Sequence, residues 1–248
     1  PAGVVGFMAA AAKVGGFAAL IRVLFVGFDA LSPQWRMAIA ALAVVSVVLG
    51  TLLAIQQSDL RRLLAYSGVA HAGFILTGVA AGAPGLGAVW FYLATYVVQL
   101  IAAFAVVSLL GGPMSSGLDM EDLTGLGTRQ PMLAAVLATM MLAMSGLPLT
   151  AGFVAKFGVF TEAWSAGFGW VVIVGLVASV AGFYFYLRAI VLMYFEEAVL
   201  VEAPGTAAAA PYVSLPVRAM LLVATAITLF FGFFPGPLLD LVADAVPF

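Results

Sequence analysis

The sequence contains no cysteine, one histidine and two lysines, and charged residues make up only 8% of its 248 positions. Without cysteine, neither disulfides nor thiolate metal sites can carry structure or chemistry, and the redox state of the compartment leaves no mark. The net charge of -2 points to no partner class. What remains is apolar: 65% of the residues are hydrophobic and the mean hydropathy is +1.21. Several apolar runs reach or exceed the roughly 20 residues needed to cross a bilayer. The chain is therefore read as an all-α polytopic membrane protein. Its start, PAGVVGF, has no initiating Met and no basic segment before the apolar stretch, so it does not read as a signal peptide and is expected to belong to a longer chain.

Cutting at turn signals and charges predicts seven spans, roughly 4–28, 37–56, 62–81, 86–110, 132–163, 169–195 and 217–236. The connectors are short except 110–131 and 196–216, which are rich in Gly, Pro, Ser or acidic residues and are expected to be the longest solvent-exposed loops. With seven crossings, Arg61, Arg62, Arg129 and Arg218 fall on one side, the cytoplasm by the positive-inside rule. Trp35, Trp90, Trp164 and Trp170 fall at span ends on the other side, as an interfacial aromatic belt would. This places the C-terminus outside and leaves Arg22 and Arg36 as minority charges on the outer half.

The fifth span is too long for a simple crossing and contains SGLPLTAGF, residues 145–153. Pro148 lacks a donor N–H and clashes with the preceding turn, while Gly146 and Gly152 loosen the flanking helix. These residues predict one discontinuous helix with a break near mid-membrane, where irregular backbone survives only if protein or water satisfies it. A plain proline kink is the alternative. Lys156 lies eight residues past Pro148, ~12 Å along the axis, too deep for easy snorkelling. Desolvation disfavours the ammonium there, and the positive end of the second half-helix is expected to add to that cost, so Lys156 can load and release a proton. Lys13, in AAAAKVGGF, repeats the pattern near the middle of the first span. Both lysines are intramembrane, whereas arginine, which cannot deprotonate in a protein, is concentrated at span ends. That partition favours proton transfer over a structural ion pair.

His71 lies nine residues past Arg62 in the third span, one helical turn after Ser67. It titrates near neutrality when unperturbed and suits a relay; a lone histidine satisfied by a neighbouring helix is the other reading. Tyr92, Tyr96 and Gln99 share one face of the fourth span at i, i+4, i+7 and can carry hydrogen-bonded water, although helix-packing polar groups look the same. Lys13 has no ionisable neighbour within two turns of its own span. It is therefore expected to point into the bundle, with a chain of polar side chains and water running from it past the fourth span to Lys156.

KVGGFAALIRVLF, DLRRLLAYSGVAHAGFIL, the polar fourth-span stripe, SGLPLTAGFVAKF and FYFYLRAIVLMYF follow one another in an order that resembles the second half of the antiporter-like membrane subunits of respiratory complex I, the bacterial NADH-quinone oxidoreductase. The likeness covers nearly the whole chain, and the AKF ending with FYFYLR selects one branch of that family. The resemblance implies two inverted five-helix repeats within fourteen helices. Residues 1–30 would be the last helix of the first repeat, 34–200 the second repeat, and 212–248 a terminal transmembrane helix and tail. It implies that Lys13 links two half-channels, that Lys156 serves the distal one, and that Tyr92, Tyr96 and Gln99 replace more ionisable residues of relatives. Arg61 stands where many relatives have Lys, a departure that leaves a cytoplasmic anchor intact. The family's glutamate of helix five and lysine of helix seven have no counterpart in this chain.

The resemblance further implies a proton-translocating subunit in a bacterial plasma membrane, driven by redox chemistry elsewhere. No cofactor is expected in this chain; FMN, iron-sulfur clusters and quinone would belong to partner subunits. Expected partners are the lipid bilayer and other membrane-arm subunits, including further antiporter-like ones, and no nucleic acid. Two other readings remain: a subunit of a multisubunit sodium/proton antiporter, which shares these motifs, and a structural scaffold whose lysines pair with neighbouring subunits.

Overall fold

The computed structural model describes residues 2–111, 118–196 and 213–245. In lipid every backbone group must be satisfied within its own segment, which leaves apolar runs of this length no option but helix. The described elements are α1 (Ala2–Arg22, continued by a π-turn at Val23–Gly27), α2 (Ser32–Ile55), α3 (Leu60–Ala80), α4 (Leu86–Gly111), the short α5 (Leu126–Arg129), α6 (Pro131–Ser145), α7 (Ala151–Ser165), α8 (Gly169–Tyr194), α9 (Leu215–Phe233) and α10 (Gly236–Ala245). Six of the helical segments are long and apolar enough to cross a membrane, and α6 with α7, 15 residues each, replace a single fifth span. This is an all-α polytopic membrane fold, with one discontinuous crossing. The second span begins earlier than the hydropathy cut, because Pro33 starts α2 in the first turn, where its missing N–H costs nothing.

The α3 and α4 helices form the centre and each carry more buried residues than any other helix, while α1, α2, α8 and α9 turn large apolar side chains outward. The α2 and α3 helices approach closely because Gly73 faces the Ala43 carbonyl and Val47; a Cβ on Gly73 would lie 2.7 Å from that oxygen. Small residues at such crossings let helix backbones meet in lipid. Asp59 caps α3, its side chain accepting from the Arg62 amide at 2.8 Å and from the Leu118 amide at 3.0 Å. Through that second bond the connector between α4 and α6 is tied down.

The described part of that connector departs from the expected solvent-exposed loop. Leu118, Met120, Leu123 and Leu126 are buried, and the Leu60 and Met120 amides donate to the Leu118 and Ser58 carbonyls. The apolar residues between its glycines and acids pack beneath α3 and α8, a feature that composition alone conceals. Most of the 196–216 loop, at 197–212, falls outside the described residues. Beyond α9, where a simple tail was expected, the chain forms α10. Arg36 has a specific place: it donates to the Ala80 and Ala81 carbonyls at 2.8 and 2.9 Å, closing the C-terminal end of α3. A cation there is favoured by the helix dipole.

Candidate functional site

The chain leaves helical geometry between Ser145 and Ala151. Gly146 takes a left-handed φ of 90°, and the Gly146 and Leu147 amides turn back onto the Ala143 and Leu142 carbonyls. Leu149 also has a positive φ, 70°, which a branched side chain rarely adopts. Gly152 lies so near the Ala143 carbonyl that no Cβ fits, and Gly232 of α9 is pressed just as tightly on the Leu149 and Thr150 backbone. The break is therefore braced from both sides.

Lys156 sits in the second turn of α7, buried at 7% exposure. Its ammonium does not stay at the positive end of its own half-helix, as the sequence led one to expect. The four-carbon stem carries it back across the break, where Nζ donates to the Ser145 carbonyl at 2.8 Å and to Ser179 Oγ at 2.9 Å. It thus caps the last turn of α6, the negative end of that helix. The Phe74 ring lies beneath it, 4.8 Å from Nζ to the centroid. An isolated lysine at a helix centre costs about 2.5–3.5 kcal/mol on insertion scales. Two hydrogen bonds to a charged donor, each worth about 1.5–3 kcal/mol, are of the size that offsets it.

Lys13 reaches from α1 into the bundle and is half-buried. Its Nζ donates to the Gly68 carbonyl at 2.9 Å and to the Tyr96 hydroxyl at 3.0 Å, and lies 4.7 Å from the Tyr96 ring centroid. Gly68 makes the approach possible, since a Cβ there would stand 2.7 Å from Nζ.

His71 lies between the two lysines, fully enclosed. Its Nδ1 is 2.9 Å from the Tyr92 hydroxyl and its Nε2 is 3.3 Å from the Tyr186 hydroxyl. A neutral imidazole offers one donor and one acceptor, so the two phenols take opposite roles and either tautomer is accommodated. The Tyr96 ring stacks on the imidazole at 4.5 Å. A cavity of about 10 Å³ is lined by Ser67, His71 and Tyr186 together with Lys156 and Ser179, room for a single water. Among the described residues, direct hydrogen bonds do not run unbroken from Lys13 to Lys156. The polar groups form a Lys13–Tyr96 pair, a His71–Tyr92–Tyr186 cluster joined to it by ring stacking, and a Lys156–Ser179 pair joined to the cluster through the small cavity. Gln99, although on the expected face of α4, joins none of these: its Nε2 is buried without a partner.

Ser145, Ser179 and Tyr186 were not singled out as candidate residues. Ser179 and Tyr186 are seven apart in a mostly apolar α8, hence on one face, and that spacing was available as a signal. The role of the Ser145 carbonyl is set by backbone geometry and has no side-chain signature. Among the described residues no three or more His, Cys, Asp and Glu are grouped to hold a metal.

The family described as "NADH:quinone oxidoreductase/Mrp antiporter, TM" matches residues 1–182. Subunit N of NADH-quinone oxidoreductase from Mycobacterium tuberculosis is 44% identical over 253 aligned residues, covering 99% of this chain and 46% of that protein. The chain thus spans about half the length of the curated relatives it matches. A chain of respiratory complex I from Thermus thermophilus superposes with a TM-score of 0.69 at 34% identity, over 82% of this chain and 45% of that one. A chain of the Mrp complex from Dietzia sp. gives a TM-score of 0.79 at 24% identity over 92% of this chain and 49% of that one, a likeness of fold alone.

Proposed function

Because the chain belongs to the family of NADH:quinone oxidoreductase and Mrp antiporter transmembrane subunits, we propose that it is the distal half of a proton-translocating subunit N, moving protons through Lys13, Lys156 and the polar groups between them. The energy comes from redox chemistry in partner subunits, which hold the flavin, iron-sulfur clusters and quinone. The partners are the other membrane-arm subunits. The membrane is the bacterial plasma membrane, with Arg61, Arg62, Arg129 and Arg218 on the cytoplasmic side and the C-terminus outside.

The observation that carries this reading is the composition of the two lysine cradles. Each ammonium has one backbone carbonyl, one hydroxyl and one aromatic face, and no described carboxylate lies within ion-pairing distance of either. A hydroxyl both donates and accepts. While the lysine is charged, Ser179 accepts from it. Once the proton has left, the Ser179 hydroxyl can turn and donate to the amine lone pair, while the Ser145 carbonyl keeps an N–H. Tyr96 can do the same for Lys13. A carboxylate in either place would hold the proton as an ion pair in a low-dielectric site. The cradles therefore serve both protonation states, as a carrier requires and a structural anchor does not. Both ammoniums are held by groups of this same chain, which weighs against a scaffold whose lysines pair with neighbouring subunits.

Proton transfer between the cradles needs two bridges, water in the small cavity by His71 and rearrangement at the Tyr96–His71 stack. The break sets the Ser145 carbonyl at the end of α6, without an amide partner in that helix, beside the small cavity, where Lys156 can leave it and return. The reading is tested in the full-length subunit within its assembled complex, by pH-sensitive dye quenching in inverted vesicles during NADH oxidation. Lys156→Ala and Lys156→Arg are both expected to lose pumping, the second because a permanent cation cannot release its proton. Full pumping in both would remove Lys156 from the pathway. Co-purification with NADH dehydrogenase activity separates this reading from a sodium/proton antiporter subunit.

A further inference from the structure

A cavity apart from both lysine cradles lies at the end of α8 beside the buried connector. It measures about 800 Å³ and is lined by Arg129 and Arg188, by Glu121, Asp122 and Glu196, and by the apolar edge of α8. Five charges share one space, yet among the described residues no ion pair joins them. Charges of both signs that line one cavity without pairing leave a gap for something that answers both signs.

Its level and walls narrow the choice. Arg188 is six residues before the end of α8, ~9 Å along the axis. The face of α8 leading to it carries exposed Val177, Val180 and Tyr184, at 66%, 76% and 60% exposure, as a surface bathed in acyl chains would. Beyond Arg188 come Tyr194 and Glu196, exposed and polar-tipped. The cavity therefore straddles the boundary between hydrocarbon and headgroups, and Leu187 and Val191, both exposed, continue its apolar wall. Arg129 spends one guanidinium nitrogen on the Asp122 and Thr124 carbonyls, at 3.1 and 2.7 Å, which orients its other N–H groups. Arg188 makes no hydrogen bond among the described residues.

We propose that this cavity binds a zwitterionic phospholipid bearing a primary amine, a phosphatidylethanolamine. The Arg129 and Arg188 guanidiniums take the phosphate in fork geometry, the Glu121 and Glu196 carboxylates accept from the ammonium, and an acyl chain lies along Leu187 and Val191. A purely anionic headgroup would meet uncompensated carboxylates. A choline headgroup carries the same charges but has no N–H to donate. The site thus discriminates by hydrogen bonding at the amine and by charge at the phosphate. The inference stands apart from the proton pathway, since none of its residues belongs to either lysine cradle.

The test uses the full-length protein in its assembled complex, reconstituted in nanodiscs containing photoactivatable phosphatidylethanolamine or phosphatidylcholine of the same acyl composition, with crosslinked peptides identified by mass spectrometry. Labelling of the α8 segment around Arg188 is expected to be several-fold stronger with the ethanolamine lipid. Arg188→Ala should reduce labelling by both lipids, whereas Glu121→Gln with Glu196→Gln should erase the preference and leave labelling itself. These side chains are exposed, so assembly is expected to survive, as gel filtration of the complex would show. Equal labelling by the two lipids, labelling unchanged in Arg188→Ala, or a crosslink from this segment to another subunit in place of lipid would each overturn the proposal.

Discussion

The two lysines occupy cradles of the same chemistry on different backbones. Lys13 and Lys156 each donate to a carbonyl at 2.9 and 2.8 Å and to a hydroxyl at 3.0 and 2.9 Å, with a ring centroid 4.7 or 4.8 Å away. The Gly68 carbonyl belongs to the middle of an intact helix, where it already accepts from the amide four residues on. The Ser145 carbonyl ends a helix and has no such partner within it. Lys13 is half-buried and Lys156 buried. An intact helix can lend a lone pair to an ammonium, whereas a broken one needs the ammonium. Lys156 is thus structurally coupled to its break in a way that Lys13 is not coupled to α3.

That coupling sets the largest expected effect. Lys156→Ala removes both the proposed proton carrier and the cap of α6, and pumping should fall on the order of 10²-fold, the scale of a positioned proton-transfer group. Loss of pumping with an unchanged thermal midpoint of the complex would show that the cap contributes little and would weaken the contrast with Lys13. Ser179→Asp sharpens the same point by changing the cradle instead of the carrier. A carboxylate at Ser179 Oγ's position would pair with the ammonium and hold its proton, so pumping should drop nearly as far while the complex stays assembled. Retained pumping in Ser179→Asp would sink the idea that hydroxyl partners matter.

A matched pair of glycine substitutions comes next. In Gly68→Ala the new methyl would stand 2.7 Å from Lys13 Nζ, and in Gly146→Ala it would stand 3.0 Å from Lys156 Cδ on a backbone with φ of 90°. Overpacking of this kind costs about 1–3 kcal/mol, and the left-handed φ adds strain only at Gly146. Pumping should decline in both. The loss of stability, read from the thermal midpoint of the purified complex, should be larger in Gly146→Ala. The reverse order would mean that the break tolerates strain better than the intact helix tolerates a methyl group. Smallest is Tyr186→Phe, which deletes one hydroxyl beside His71 and a single hydrogen bond of about 0.5–1.5 kcal/mol. Pumping should slow measurably without stopping, because Tyr92 still holds the imidazole; no change at all would place Tyr186 outside the pathway.

The clearest signals in the sequence are residue types that stand alone against an apolar background. Lys13, Lys156 and His71 are conspicuous because the bilayer makes each of them costly, so their presence in a span is informative before any contact is known. The break was legible for the same kind of reason, since Pro148 between glycines is incompatible with continuous helix. Ser179 and Tyr186 passed unnoticed because hydroxyls in a membrane helix usually bond to their own backbone, as Thr77, Thr95 and Thr228 do here. The buried connector was misjudged because Gly, Ser and acidic residues dominate its composition, while the four leucine and methionine side chains that pack it are outvoted. Gln99 shows the limit of spacing from the other side: it lies in line with Tyr92 and Tyr96, but its Nε2 meets no protein partner among the described residues.

By itself, the sequence determined the solvent, the span pattern, the place of the discontinuity and the identity of the two lysines. Each of these follows from a local cost paid in lipid, by an unsatisfied backbone group or by a buried charge, and local costs can be read one residue at a time. Only the tertiary structure decided which groups answer the two ammoniums. The direction in which Lys156 reaches, back to the end of α6 and away from the start of its own half-helix, depends on where α8 places Ser179 and on how Gly232 of α9 seats the break. Those partners are distant in sequence and are brought together by packing, and a lysine stem is long enough to reach either way.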